Sequence, residues 1–288
     1  MPEERSQRRS AVVTGASTGI GRATVDDLVA AGWHVWPTVR ADDAAAALVS
    51  AHGDAVTPLL LDVTDDAAVA AAGERVRAAG PLHALVNNAG VAIPGPLEHL
   101  DLAAFRHQLD VNLTGQLAVT QAMLPALRDA RRAGAEARIV VVGSMGGWVA
   151  GPMLGAYHTT KFGIAGLAGS LRAELAASGI PVLLVEPGAI ATPIWDRGVS
   201  AGEELWAALP REARERYRSH YAHAIRSARR AAVKGAPAGK VSAAIVEALT
   251  ERNPRPRRMV GRDAKLAMTL ARVLPQRVIA KVAARIVG

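Results

Sequence analysis

Tyr157 and Lys161 stand four residues apart in a stretch of helical spacing. That separation puts both on one face, with Cβ atoms roughly 5–6 Å apart. The pair can do acid–base chemistry. A free phenol ionises at about pH 10, too high for a base at neutrality, and a neighbouring ammonium favours the phenolate and lowers that value. Ser144 lies thirteen residues before the tyrosine, just after the apolar run 139–142, which reads as a buried strand. A hydroxyl placed there can point into a cleft and polarise a substrate oxygen. Each residue alone has a plainer reading: a Tyr–Lys pair is often a surface contact, and a serine after a strand often caps a turn. His158 adjoins the tyrosine but falls on another helix face, which gives it a structural or solvated place.

A second group of residues suits a dinucleotide. Thr14-Gly15-Ala16-Ser17-Thr18-Gly19-Ile20-Gly21 follows a short apolar run and opens a helix. Glycines allow a tight turn and a close backbone approach to a pyrophosphate, and the helix start offers free N–H groups. Gly15, Ser17, Thr18, Gly19, Ile20 and Gly21 are the expected contacts, although a plain glycine turn has the same composition. Arg40 lies just past the second strand, after Val39, where a carboxylate would favour the 2′-hydroxyl of NAD. A guanidinium there suits the 2′-phosphate of NADP. The expected cofactor is therefore NADP(H), with NAD(H) open. The oxidised nicotinamide adds a second positive charge beside the phenol.

The elements that must carry these residues alternate along the chain. Strands are expected at 11–14, 34–39, 56–61, 82–86, 139–142 and 181–185. Helices are expected at 19–31, 65–79, 102–132 (kinked or ended by Pro125) and 155–178. Runs this short, β-branched and apolar on both faces belong to a parallel sheet covered on both sides. The fold class is α/β, one Rossmann-like doubly wound sheet. Pro37 sits awkwardly inside the second strand, where it removes a ladder donor. Asp26 and Asp27 are assigned to a helix start and its dipole. Beyond Pro193 the text becomes Ala-, Arg- and Glu-rich, with helical runs at 240–252 and 263–287 and a short last strand at 257–260. The expected organisation is a loosely held 1–9, a dinucleotide-binding domain 10–262 with a substrate lid at 194–238, and a basic amphipathic helical extension at 263–288.

In joint order and spacing the motifs resemble the short-chain dehydrogenase/reductase family. They are T-G-x-x-x-G-I-G at 14–21, L-D-V at 61–63, N-N-A-G at 87–90, V-N at 111–112, G-S at 143–144, Y-x-x-x-K at 157–161 and P-G-x-I-x-T at 187–192. The run R-R-M-V-G-R-D-A-K at 257–265 is similar to the hydroxysteroid and retinol dehydrogenase branch. The resemblance implies hydride transfer between a nicotinamide and an alcohol or ketone. Tyr157 would exchange the proton, Lys161 would also hold the nicotinamide ribose, and Asn112 would anchor a water in a proton relay. Asp62 and Val63 would contact the adenine; Asn87, Asn88, Ala89 and Gly90 would line the cleft; and Ile190 and Thr192, after Pro187 and Gly188, would hold the carboxamide.

Pocket walls are expected from 91–98, from 145–154 and from the segment after Thr192, with Trp148, Met153, Leu154, Ile194, Trp195, Leu205 and Trp206. Such walls point to an apolar substrate of steroid, retinoid or long-chain size. Cysteine is absent, which excludes disulfides, thiolate metal sites and a cysteine nucleophile. The histidines show no metal spacing, so no metal is expected. The N-terminus has no apolar run, which points to a cytoplasmic protein. The uncharged stretch 139–160 is broken by Gly and Pro and reads as strand, loop and helix start rather than a membrane span. Charge is uneven: 1–204 holds 15 basic and 21 acidic side chains, and 205–288 holds 19 and 5. The tail places Arg277, Lys281 and Arg285 on one helical face and Val278, Ile279, Val282 and Ile286 on another. It can lie on an anionic membrane, cover the pocket, meet a second subunit of a homo-oligomer (dimer or tetramer), or bury one stripe on its own domain. Nucleic acid is excluded as a partner, because no reading motif or interleaved aromatics accompany the charge. A dinucleotide sensor without catalysis, or a membrane-surface interaction protein, are the rival readings.

Overall fold

The computed structural model describes residues 8–275 and 277–279. Seven strands form one parallel sheet: β1 (Ser10–Val13), β2 (His34–Val39), β3 (Leu59–Leu60), β4 (Ala84–Asn87), β5 (Arg138–Val142), β6 (Val182–Pro187) and β9 (Arg257–Val260). Their order is β3-β2-β1-β4-β5-β6-β9, so the winding reverses between β1 and β4. This is the doubly wound arrangement, and ligands of such sheets sit outside the carboxyl ends at that reversal.

Alternate residues of the central strands feed two apolar layers. On one side Val12, Leu85, Ile139, Val141 and Leu184 meet α3 (Asp66–Ala78), α5 (Gly115–Arg132) and α6 (Gly155–Glu174). On the other, Ala11, Val13, Val86, Val140 and Val185 meet α1 (Gly19–Ala30), α2 (Asp42–His52) and α9 (Gly239–Thr250). Each fully buried Leu or Ile in these layers is worth about 1.5–3 kcal/mol of transfer free energy. The sheet is therefore a stiff floor for the loops above it.

Local chemistry explains where the elements depart from expectation. β2 runs straight through Pro37, whose register partner is Val13. Val35 and Val39 direct their carbonyls toward the β3 side, accepting from Thr57 and Leu61, so Pro37, of the same parity, turns its missing donor to that side. There β3 is only two residues long, against the six expected from 56–61. The long helix expected at 102–132 is divided by a π turn at Asp110–Thr114, between α4 (Leu102–Leu109) and α5, while α5 continues through Pro125 to Arg132. Asp26 and Asp27 do not open α1, whose first turn has no acidic residue. Asp26 instead meets Arg22 at 2.9 Å and His52 at 2.8 Å, and Asp27 accepts from Ser242 on α9.

The segment beyond Pro193 forms two helices, α7 (Ile194–Ala208) and α8 (Arg211–Lys234), packed on each other. Its ends are joined by a two-stranded parallel sheet, β7 (Ile190–Ala191) with β8 (Ala236–Pro237). After β9, α10 (Arg262–Val273) ends before Pro275. The 139–160 stretch is strand, turn and helix start, and among the described residues no helix is long and apolar enough to cross a membrane. Residues 1–7, and Lys281, Val282, Arg285 and Ile286 of the expected tail helix, lie outside the described residues.

Candidate active site

The glycine loop is stitched to the loop after β4. Thr14 Oγ1 accepts the N–H groups of Asn88 (2.9 Å) and Ala89 (3.0 Å), and Asn88 Nδ2 donates back to the carbonyls of Thr14 (2.9 Å) and Gly15 (3.2 Å). Gly15 is left-handed (φ 64°), and a Cβ at Gly21 would lie 2.2 Å from the Gly15 carbonyl oxygen. Only glycine fits both places. Ser17 and Thr18 are exposed, and Ile20 packs against the core. Thr18 precedes α1 in an extended conformation and makes no side-chain cap, so no side chain of the cap answers the first-turn N–H groups. That end of α1 fits a pyrophosphate.

Arg40 extends past β2 with its side chain 66% exposed, 3.8 Å from Asp62. Burial would raise the Asp62 carboxyl pKa, but two hydrogen bonds from Thr64 and the Arg40 charge outweigh it and hold the value below the usual range. Val63 is buried, and its carbonyl lies where a side chain at Gly115 would stand.

Asn112 sits on the π turn, fully buried. Its Oδ1 accepts from Val91 N (2.7 Å), and its Nδ2 donates to Val91 O (2.9 Å) and Thr160 Oγ1 (3.1 Å). The side chain thus ties the loop after Gly90 to α6. Gly90 lies close under it, with room for a Cβ only at 3.3 Å from Oδ1. Asn87 donates to Thr120 Oγ1 at 2.7 Å.

Ser144, Tyr157 and Lys161 come together above β5. Ser144 opens a short 3₁₀ turn, Met145–Gly147, and its Oγ accepts from Gly146 N at 3.0 Å. The Ser144 hydroxyl faces the Tyr157 phenol and acts on it as a hydrogen-bond partner that favours the phenolate. Lys161, one turn along α6, is 7% exposed; its Nζ donates to the Val142 carbonyl (3.1 Å) and lies 5.6 Å from the Tyr157 ring centre. Burial brings the Lys161 pKa down to about 8. Burial also pushes the phenol of Tyr157 above its ordinary value, with the Ser144 hydrogen bond acting the other way. The expected lowering is therefore not found in the protein alone. The ammonium is aimed at a carbonyl, and desolvating a phenolate costs more than Ser144 returns. His158 is structural: Nε2 accepts from Gly151 N (3.1 Å) and Nδ1 meets Gly146 O (2.9 Å), which secures the loop behind Ser144.

Beyond Pro187, Gly188 N donates to Val260 O (2.9 Å) and Ala189 N to Asp263 Oδ2 (2.7 Å). Thr192 reaches the glycine loop, since a Cβ at Gly19 would stand 3.1 Å from its methyl. The Ile190 carbonyl accepts from the Trp195 indole at 2.7 Å. The two loops expected to wall the pocket meet where Gly95 N donates to Met153 O (2.7 Å), and Met153 is buried and left-handed (φ 68°). Leu205 of α7 abuts Gly95, and Glu98 accepts from Arg216 (2.8 Å) and Tyr217 (2.5 Å) of α8. Trp148 departs from the expected wall: its indole N–H donates to Glu186 at 2.8 Å and its ring lies against Arg257. Thr14, Thr160, Glu186 and Asp263 carried no expectation. Thr14 and Asp263 were visible only as letters of the motifs at 14–21 and 257–265, and Thr160 and Glu186 have no local pattern. Among the described residues no group of three or more His, Cys, Asp or Glu could hold a metal ion.

The family model for short chain dehydrogenases matches residues 9–201. The NADPH-dependent 3-dehydrocapnine reductase of Ornithobacterium rhinotracheale is 36% identical over 67% of this chain and 70% of its own. Mouse retinol dehydrogenase 5 is 34% identical over 93% of this chain and 85% of its own. A short-chain dehydrogenase/reductase from Burkholderia phymatum, solved in complex with NAD, superposes with a TM-score of 0.78 at 25% identity, covering 96% of each chain. The chain belongs to the short-chain dehydrogenase/reductase family, oxidoreductases that use a nicotinamide dinucleotide on an alcohol or ketone, and stands in its retinol and hydroxysteroid dehydrogenase-type branch.

Proposed function

We propose that the protein is an NADP(H)-dependent ketoreductase or alcohol dehydrogenase for an apolar substrate, with Tyr157 as general acid and base. The convergence of Ser144, Tyr157 and Lys161 at one end of β5 carries this reading. The uncapped start of α1 and the glycine-only approach of Gly21 to Gly15 fit the dinucleotide, and the exposed Arg40 favours a 2′-phosphate. The nicotinamide, when bound, supplies the hydride in reduction and accepts it in oxidation.

In reduction, Tyr157 gives its proton to the carbonyl oxygen as the carbon gains hydride. Ser144 holds that oxygen through its hydroxyl, and Lys161 holds the ribose and favours the phenolate that is left. Asn112 serves the return of the proton by tying the loop after Gly90 to Thr160, the residue before Lys161. Burial holds the Tyr157 phenol above its ordinary pKa and so keeps it in the protonated form, the form that donates in reduction. Met153, Leu154, Ile194, Leu205 and Trp206 supply the apolar walls. A contact with an anionic membrane surface is a second reading, favoured by Leu266, Leu270 and Val273, which are exposed along α10 beside a basic tail.

The test is turnover of a panel of apolar ketones with NADPH. Tyr157→Phe is expected to cut turnover by about a hundredfold or more with NADPH binding retained. Turnover that persists in this variant would falsify the mechanism.

A further inference from the structure

Glu186 is 1% exposed, a carboxylate in the interior, at the end of β6. Its Oε1 accepts from Arg257 Nη2 (2.6 Å) and Trp148 Nε1 (2.8 Å), and its Oε2 accepts from Arg257 Nε (3.0 Å). The guanidinium grips both oxygens, which compensates the buried charge. Replacing a buried ion pair with apolar residues is often neutral or stabilising, so the pair is weak evidence for a role in stability. What it adds is the third bond, to an indole that closes the turn behind Ser144.

That turn is held from two sides. On the α6 side, a Cβ at Gly147 would stand 2.7 Å from the Lys161 carbonyl, and one at Gly146 would stand 3.3 Å from the Tyr157 ring. On the β6 side, the Glu186 stem lies against Gly143, whose Cβ would be 3.0 Å from Cγ. Trp148 N donates to Met145 O (3.0 Å), so the residue gripped by Glu186 is the one that completes the turn. The Trp148 ring is also met by Arg257 at 4.2 Å and Arg272 of α10 at 5.1 Å from its centre.

We infer that Glu186 and Trp148 are positioning residues for the Ser144 hydroxyl. The carboxylate fixes the indole, the indole fixes the 3₁₀ turn, and the turn fixes the hydroxyl beside Tyr157. The inference rests on the role proposed for Ser144. A displacement of about 1 Å in a reacting geometry can cost about a hundredfold, so a partial release is expected to cost about tenfold.

Trp148→Phe is the cleaner probe, because it removes the N–H and leaves Glu186 paired with Arg257. Its kcat for ketone reduction is expected to fall about tenfold. KM and the NADPH Kd are expected within about twofold of wild type, with little change in melting temperature. Ser144→Ala is expected to lose about a hundredfold. Trp148→Phe added to Ser144→Ala should then cost nothing more, because the group it positions is gone. Glu186→Gln is the second variant and should show the same dependence on Ser144. Unchanged kcat in Trp148→Phe, or an equal further loss in the Ser144→Ala background, overturns the positioning role and leaves the proposed reaction standing. Ser144→Ala with wild-type kcat overturns both.

Discussion

Replacing Lys161 with methionine should make the protein more stable and less active. The amine is buried, and its pKa falls from 10.5 to about 8. Holding it protonated at pH 7 therefore costs about 3 kcal/mol relative to the unfolded chain. Methionine removes that cost but leaves the Val142 carbonyl without its donor, a loss of about 1–2 kcal/mol. The net expectation is a gain of about 1–2 kcal/mol at pH 7. The pH dependence gives the sharper signature. Between about pH 8 and 10.5 the unfolded lysine carries more proton than the folded one, so wild-type stability rises with pH across that window. By pH 10 the remaining cost is below about 1 kcal/mol, and the advantage of Lys161→Met should vanish or reverse. Urea unfolding of both proteins at pH 7 and pH 10, with equal m-values, measures it. A stability difference that stays constant across that range refutes the reasoning. Turnover with NADPH and an active ketone should meanwhile fall by about a hundredfold or more, an exchange of stability for function.

Arg40→Ala should weaken NADPH binding by about tenfold or more and NADH binding by little, as read by fluorescence titration; equal losses contradict the choice of NADP. Gly21→Ala drives a Cβ to within 2.2 Å of Gly15 O and 2.6 Å of Asn88 Nδ2, so it should cost about 1–3 kcal/mol and abolish cofactor binding. An unchanged NADPH Kd in that variant rejects the loop assignment. Co-sedimentation with anionic liposomes should drop when residues 264–288 are removed, and equal binding with and without them dismisses the membrane contact.

The sheet was legible because its strands are short apolar runs between helices, and period and punctuation are local properties. β2 was readable even through Pro37, since the donor that proline lacks faces the side where β3 offers only two residues. The shared face of Tyr157 and Lys161 and the turn of the glycine loop were legible because spacing along one helix and one loop is itself geometry. What escaped depends on distant partners. Nothing near Asn112 announces a π turn, which shows itself only when Val91 and Thr160 close on the amide. Trp148 looks like a pocket residue until Glu186 and Arg257, far along the chain, claim its N–H and its face. The phenol's raised pKa was missed for a similar reason: spacing reveals that an amine is near, but not which way it points or how much water has left.

The short pairing of β7 with β8 has an evolutionary consequence. Both ends of the α7–α8 segment are clasped side by side, Ala236 N bonding Ala189 O at 2.9 Å. The forty-odd residues between behave as a cassette entering and leaving through one neck. A graft of different length that keeps Leu205 against Gly95, and Arg216 and Tyr217 on Glu98, could be accepted there without reopening the sheet. The sequence of that segment can thus drift in descendants of this chain while the sheet beneath it stays put.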